Sequence, residues 1–189
     1  MKAGVLALQG AFREHREVFA ALGVNTIEVR APDHLDGIGA LVIPGGESTT
    51  MAHLLDSSGL REPISAAIAA GLPVLGTCAG LIVLATEVLD GRADQRPLAA
   101  IDVTARRNAY GRQRESFEAE LDLGLAGGAF PGVFIRAPTI ERVGGAVEVW
   151  GEHNGRPVFA REGRVWVTTF HPELAGDSRV HERFLQEVA

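Results

Sequence analysis

Pro73-Val74-Leu75-Gly76-Thr77-Cys78-Ala79-Gly80-Leu81-Ile82 is the stretch from which the fold is read. Val74 and Leu75 form a short apolar run that reaches a turn of small residues, and an apolar helix from Ala79 to about Leu89 is expected to follow. The unit is strand–turn–helix, with the chain's one cysteine at its apex. Gly76 and Gly80 flank Cys78 in a G-x-C-x-G pattern. A sharp strand-to-helix turn strains the apical residue, and neighbours with side chains would clash there. The thiol then stands at the carboxyl end of the strand, where the unpaired N–H groups and dipole of the next helix favour an anion. Most lone cysteines are small buried apolar residues; two glycines at this spacing favour a nucleophile instead. A nucleophile requires a base.

Outward from this stretch, the chain before it reads as alternating strands and helices. Gly4 to Leu8 is a buried strand ended by Gln9-Gly10, and Phe12, Val18, Phe19 and Leu22 mark a helix closed by Gly23. Thr26 to Arg30 and Ala40 to Ile43 are strands. Pro44-Gly45-Gly46-Glu47-Ser48-Thr49-Thr50 leads into helical pieces through Leu54-Leu55 and from Leu60 to Ala70. Apolar strands alternating with helices predict an α/β, three-layer, mostly parallel doubly wound sheet. After about Asp90 the rhythm changes to short strands at Ile101 to Thr104, Glu115 to Leu121, Val133 to Arg136, Val147 to Glu152, Pro157 to Arg161 and Val165 to Phe170. His153-Asn154-Gly155-Arg156 is a hairpin turn. The second half therefore adds antiparallel strands to the sheet or its flank. Asp177-Ser178 caps a final helix carrying Val180, Phe184, Leu185 and Val188. No linker-like stretch divides the 189 residues, so a single domain, 1–189, is expected.

Composition narrows the function classes. The net charge of −6 without a long basic run gives no electrostatic footprint for nucleic acid, and the cluster Arg106, Arg107, Arg112 and Arg114 is too small to supply one. The apolar run Ala3 to Leu8 is too short for a signal sequence or a membrane span. One cysteine forms no internal disulfide, which fits a reducing, cytoplasmic setting.

The candidate base is His171, in Thr168-Thr169-Phe170-His171-Pro172-Glu173-Leu174. Pro172 stops the strand and holds imidazole and carboxylate in a fixed relation. His171 can take the proton of Cys78, and Glu173 can orient the ring and offset its charge. Asp102 is a second-ranked orienter. His15, His34, His53, His153 and His181 read as surface or satisfied structural residues. The Gly-rich turn at Pro44-Gly45-Gly46 frees backbone N–H groups to face a site at the carboxyl ends of the strands. Gly46 and Ala79 are the candidate oxyanion donors through their N–H groups. Ser48 also suits a helix N-cap, Glu47 also favours a first helical turn, and Gln9 is placed to hydrogen-bond the Gly45-Gly46 turn.

The elbow Gly76-Thr77-Cys78-Ala79-Gly80, the Pro-Gly-Gly turn and His171-x-Glu173, in that order, resemble the class I (triad) glutamine amidotransferases. Leu8-Gln9-Gly10, Pro44 to Thr50, Arg107-Asn108-Ala109-Tyr110-Gly111-Arg112-Gln113, Phe134-Ile135-Arg136-Ala137-Pro138 and Glu152-His153-Asn154-Gly155 narrow the likeness to the glutaminase subunits of pyridoxal 5′-phosphate synthases. The resemblance implies hydrolysis of L-glutamine to glutamate and ammonia, with no cofactor and no metal. Ammonia would pass to a synthase partner, a (β/α)8 barrel that builds pyridoxal 5′-phosphate from pentose and triose phosphates. Carried over by position, Cys78 is the nucleophile, His171 the base and then the acid, and Glu173 its orienter. Gly46, Glu47, Ser48, Arg107, Ile135 and Arg136 match the glutamine-binding positions. Glutamine carries an α-carboxylate, for which Arg107 and Arg136 supply cations; the apolar run around Arg136 would make an unpaired charge costly. Two alternatives remain open. One is another thiol hydrolase on the same elbow, such as a peptidase or γ-glutamyl hydrolase. The other is a glutamine-sensing subunit whose cysteine never turns over.

Overall fold

The computed structural model describes residues 1–92, 94–107 and 116–188, the last without its side chain. Positions 108–113 of the Arg107 motif and the expected strand start at Glu115 lie outside the described residues. The first half runs β1 (Lys2–Leu6), α1 (Phe12–Ala21), β2 (Asn25–Val29), β3 (Ala40–Ile43), α2 (Ser48–Ser57), α3 (Arg61–Ala69), β4 (Val74–Thr77) and α4 (Ala79–Leu84). The second half runs β5 (Ala85–Leu89), β6 (Ile101–Arg106), β7 (Ser116–Leu121), β8 (Phe130–Ile135), β9 (Thr139–Val143), β10 (Glu148–His153), β11 (Arg156–Glu162), β12 (Val165–Thr168) and α5 (Arg179–Val188). Single 3₁₀ turns occupy Pro32–Leu35 and Pro172–Leu174.

The main sheet has the order β10-β11-β12-β4-β3-β1-β2, parallel from β12 to β2 and antiparallel at the β10–β11–β12 end. Its strands are apolar on both faces because helices cover both. Leu41, Ile43, Val74, Val165 and Val167 pack on one side with Met51 and Leu55 of α2, Ile64 of α3 and Leu81 and Leu84 of α4. Ala40, Val42, Leu75 and Trp166 point the other way, toward Phe19 of α1, Val180 and Phe184 of α5, and Phe130 and Phe134 of β8. Alternation along each strand thus feeds two cores, giving the three layers expected. The β10–β11 hairpin turns at Asn154 and Gly155, both at positive φ (52° and 72°), as a two-residue turn requires. Among the described residues no helix is long and apolar enough to cross a membrane.

Several expectations need correction. The helix after Cys78 ends at Leu84, not near Leu89, and Ala85–Leu89 is a strand parallel to β6. Pairing with β6, reinforced by the Thr86 hydroxyl donating to Ile101 O at 2.8 Å, overrides the helical pattern. With six residues, α4 aligns fewer peptide dipoles beneath Cys78 than expected. The strand Thr139–Val143, unread because Pro138, Glu141 and Arg142 interrupt its apolar pattern, pairs antiparallel with β6. The second half also contributes a parallel strand, since β12 inserts beside β4. It ends at Thr168 rather than Phe170, leaving His171 on the exit, where its N–H donates to Val133 O at 2.8 Å.

Candidate active site

β4 is the middle strand of the seven-stranded sheet, and Cys78 follows it directly with φ 50° and ψ −102°. That conformation is rare for a residue with a side chain and costs on the order of 1–3 kcal/mol. Its surroundings enforce it. The Cys78 N–H donates to Thr168 O at 2.9 Å, and α4 turns back so tightly that a Cβ on Gly80 would overlap Ile43 O. A Cβ on Gly76 would meet Leu84 and the Gly80 carbonyl. The G-x-C-x-G pattern is therefore a packing requirement of the elbow. The thiol itself is nearly buried and lies 3.8 Å from the Ile135 carbonyl, to which it donates.

His171 reaches the same spot from the end of β12. A Cβ on Gly45 would touch both the His171 ring and Cys78 Cβ, so the Gly-rich turn, the imidazole and the cysteine pack against one another. His171 Nδ1 is 2.7 Å from Glu173 Oε1, both side chains being buried. Burial alone would lower the His171 pKa. The hydrogen bonds to Cys78 and Glu173, and the negative charge of both, outweigh that and raise it from 6.5 to about 10. Since Nδ1 serves Glu173, Nε2 is the nitrogen left for the sulfur. Glu173 is itself desolvated, which favours its neutral form, but His15 and His171 hold its pKa below the usual value. Asp102, the second-ranked orienter, instead pairs with Arg142 on β9.

The oxyanion candidates border the same space. Gly46 and Ala79, with Glu47, Ser48, Cys78, Arg107, Ile135, Arg136 and His171, line one cleft of about 610 Å³. Glu173 stands behind His171. Gln9 reaches the Gly-rich turn one residue beyond its expected place: its Nε2 donates to Glu47 O at 3.1 Å and its Oε1 accepts from Glu47 N at 3.2 Å. Glu47, not Ser48, caps α2, accepting from the backbone N–H groups of Thr49 and Thr50. Its partial desolvation is outweighed by those bonds and the Thr50 hydroxyl, and its pKa falls to about 2. Arg107 bonds Glu47 at 3.0 Å, Thr49 Oγ1 at 2.9 Å and Gln95 Oε1 at 3.1 Å. Arg136 is exposed, so the burial argument made for it from its apolar neighbours does not hold, although it borders the cleft at a positive φ of 45°.

Sequence reasoning missed Ile82 and Ser116, which also line the cleft. It also missed His15 and His181, both fully buried behind Glu173. A signal for these two was present: His15 falls between Phe12, Phe19 and Leu22 at helical spacing, and His181 shares the apolar stripe of α5 with Phe184 and Leu185.

The profile of the SNO glutamine amidotransferase family matches residues 5–189. A protein of Salinispora arenicola named pyridoxal 5′-phosphate synthase subunit PdxT is 55% identical over 187 residues, covering 96% of this chain and 93% of its own length. One of the same name from Herpetosiphon aurantiacus is 53% identical over 188 residues, covering 98% and 99%. A crystal structure of a glutamine amidotransferase superposes with a TM-score of 0.93 at 45% identity, over 98% of both chains. A chain of PurLQS from Thermotoga maritima, 15% identical with a TM-score of 0.70 over 99% of this chain and 96% of its own, shares the fold.

Proposed function

The chain belongs to the SNO glutamine amidotransferase family, and we propose that it hydrolyses L-glutamine to L-glutamate and ammonia as the glutaminase subunit of a pyridoxal 5′-phosphate synthase, with Cys78, His171 and Glu173 as its catalytic groups. The observation that carries the reading is His171, held at Nδ1 by Glu173 and packed with Cys78 around the Gly45 turn at the cleft. Relatives more than half identical over nearly the whole chain carry that subunit name. We place the protein, as one glutaminase domain over residues 1–189, in the cytosol, where a lone thiol stays reduced.

The Cys78 thiolate attacks the side-chain amide carbon of glutamine, and the oxygen that becomes negative accepts from the N–H groups of Gly46 and Ala79. His171, carrying its proton, gives it to the departing nitrogen, and the C–N bond breaks to release ammonia and leave a thioester. A water that loses a proton to His171 then adds to the thioester, and the C–S bond breaks to give glutamate and the thiolate–imidazolium pair. Arg107 and Arg136 supply positive charge for the substrate α-carboxylate. Gly46, Glu47, Ser48 and Ile135 border the rest of the molecule.

Ammonia passes to a (β/α)8 synthase subunit, so hydrolysis without that subunit would waste glutamine. Ammonia release is expected to be weak for the chain alone and stronger with the synthase subunit present; equal rates reject that coupling. Gln9→Ala removes both bonds that hold Glu47 and with it the Gly-rich turn. Losing an oxyanion donor outright typically costs about a hundred- to a thousandfold, and a loosened turn is expected to cost roughly tenfold in kcat. Unchanged glutaminase activity in Gln9→Ala would refute the role of this clamp.

A further inference from the structure

Behind the proposed triad the buried polar chain continues. His15 Nε2 on α1 lies 3.3 Å from Glu173 Oε2 and 3.2 Å from Thr77 Oγ1, and His15 Nδ1 lies 2.9 Å from His181 Nε2 on α5. His15, Thr77 and His181 are fully inaccessible to solvent. Two histidines buried without function would be a costly way to fill a core that leucine fills. Here they stand in series with the base.

Tautomers follow from what each nitrogen faces. Were His15 Nε2 bare, its lone pair would point at an ionised carboxylate 3.3 Å away in a dry interior, and His181 would carry an unpartnered buried N–H at Nδ1. With protons on Nε2 of both rings, His181 donates to His15 and His15 donates toward Glu173 and Thr77. The atom then left unmatched at the far end is a lone pair, not a donor. The chain runs toward Glu173, which meets His171 at Oε1, while its buried Oε2, without a hydrogen-bond partner, lies 3.3 Å from the His15 Nε2 that is bonded to Thr77 Oγ1. Thr77 precedes the nucleophile, so the same imidazole touches both the elbow and the carboxylate.

Resting on the glutaminase reading of Cys78, His171 and Glu173, we propose that His15 is a positioning residue for glutamine hydrolysis. Braced by His181, it holds Glu173 turned to accept from His171 and so fixes the catalytic imidazole with Nε2 toward the sulfur. The groups that set its charge are Glu173 and His171 from the 3₁₀ turn and its approach, Glu14 on α1 itself and His181 on α5, with the Thr77 hydroxyl from β4. Burial, the foremost of these influences, keeps His15 neutral, so the buried cluster gains a donor without gaining a charge.

The test begins with the unmodified chain. Spectra of the protein carrying ¹⁵N-labelled histidine are expected to show a proton on His15 Nε2 at neutral pH; a bare Nε2 overturns the proposal, and this measurement needs no variant to fold. His15→Leu keeps volume and removes the donor, whereas His15→Gln restores an N–H at similar reach. With the synthase subunit present, His15→Leu is expected to lower kcat about tenfold to a hundredfold, the usual worth of one hydrogen bond to an ionised group, with KM for glutamine little changed. His15→Gln should recover most of it. The His171 ring, followed in the same labelled spectra, should titrate at lower pH in His15→Leu than in the wild type. An unmoved His171 titration, or a Gln variant as slow as the Leu one, overturns the positioning role. Should the wild type release no ammonia even with its partner, the glutaminase reading fails instead, while the tautomer and titration still decide the arrangement around Glu173.

Discussion

Cys78→Ala is expected to release no ammonia from glutamine, while its complex with the synthase subunit still forms product from added ammonium salt. The chain has no other thiol, and the side chain at this elbow is the one that faces both His171 and the cleft. Nucleophile and base act as a unit, so removing the nucleophile costs on the order of 10⁶ in kcat. The substitution is small. The strained φ of 50° is as unfavourable for alanine as for cysteine, and the glycines that permit the turn are untouched. The fold, the cleft and any surface that meets the synthase should therefore survive. Ammonia and product formation, measured separately, check this. Persistent release from glutamine would mean another nucleophile, and loss of ammonium-dependent synthesis would mean that Cys78 serves the assembly rather than the chemistry. The same pair of measurements excludes a sensing subunit, whose wild type would release nothing.

How far the site could be read in advance depended on how local its determinants are. The elbow was legible because Gly76 and Gly80 are required by contacts within a few residues and by the adjacent strand end at Ile43. The convergence of Gly46, Cys78 and His171 followed from parallel strands sharing one carboxyl edge, which a strand–helix rhythm implies. What escaped was set by pairing across the chain. Ala85–Leu89 is extended because β6 lies beside it, and no local feature distinguishes it from the last turns of an apolar helix. Thr139–Val143 is a strand for the same reason despite its charged residues. His15 and His181 are more than 160 residues apart in sequence and acquire meaning only when α1 and α5 meet on one face of the sheet. Arg136 shows the opposite error: apolar neighbours in sequence did not bury it, because β8 ends at Ile135 and the positive φ of 45° at Arg136 breaks the alternation that would have turned it inward.

Glu173→Gln should lower kcat by roughly 10³–10⁴ while leaving KM for glutamine nearly unchanged. The carboxylate accepts from His171 at one oxygen and faces His15 Nε2 at the other. A carboxamide of the same shape has one acceptor oxygen and one NH₂ group, so it cannot receive both. If the oxygen stays with His171, the NH₂ confronts His15; if it turns to His15, the NH₂ confronts the Nδ1–H of His171 and the ring loses its hold. Either way a buried donor is left facing a donor. The charge change acts in the same direction. Glu173 is one of the groups that hold the His171 pKa at about 10 rather than 6.5, so its neutral replacement lets that value fall. The alkaline limb of kcat/KM, where His171 loses the proton it must give to the leaving nitrogen, should move to lower pH. Stability follows the same sign. A histidine whose folded pKa is raised stabilises the folded chain fully below about pH 6.5 and loses that contribution as the pH climbs through about 10. In Glu173→Gln that contribution is smaller and is exhausted at lower pH, so the melting temperatures of variant and wild type lie furthest apart near neutral pH and draw together through the alkaline range. A pH–rate profile and a thermal melt series across that range measure both effects. An unmoved alkaline limb with kcat intact would remove Glu173 from the catalytic machinery and leave His171 to be oriented by something else.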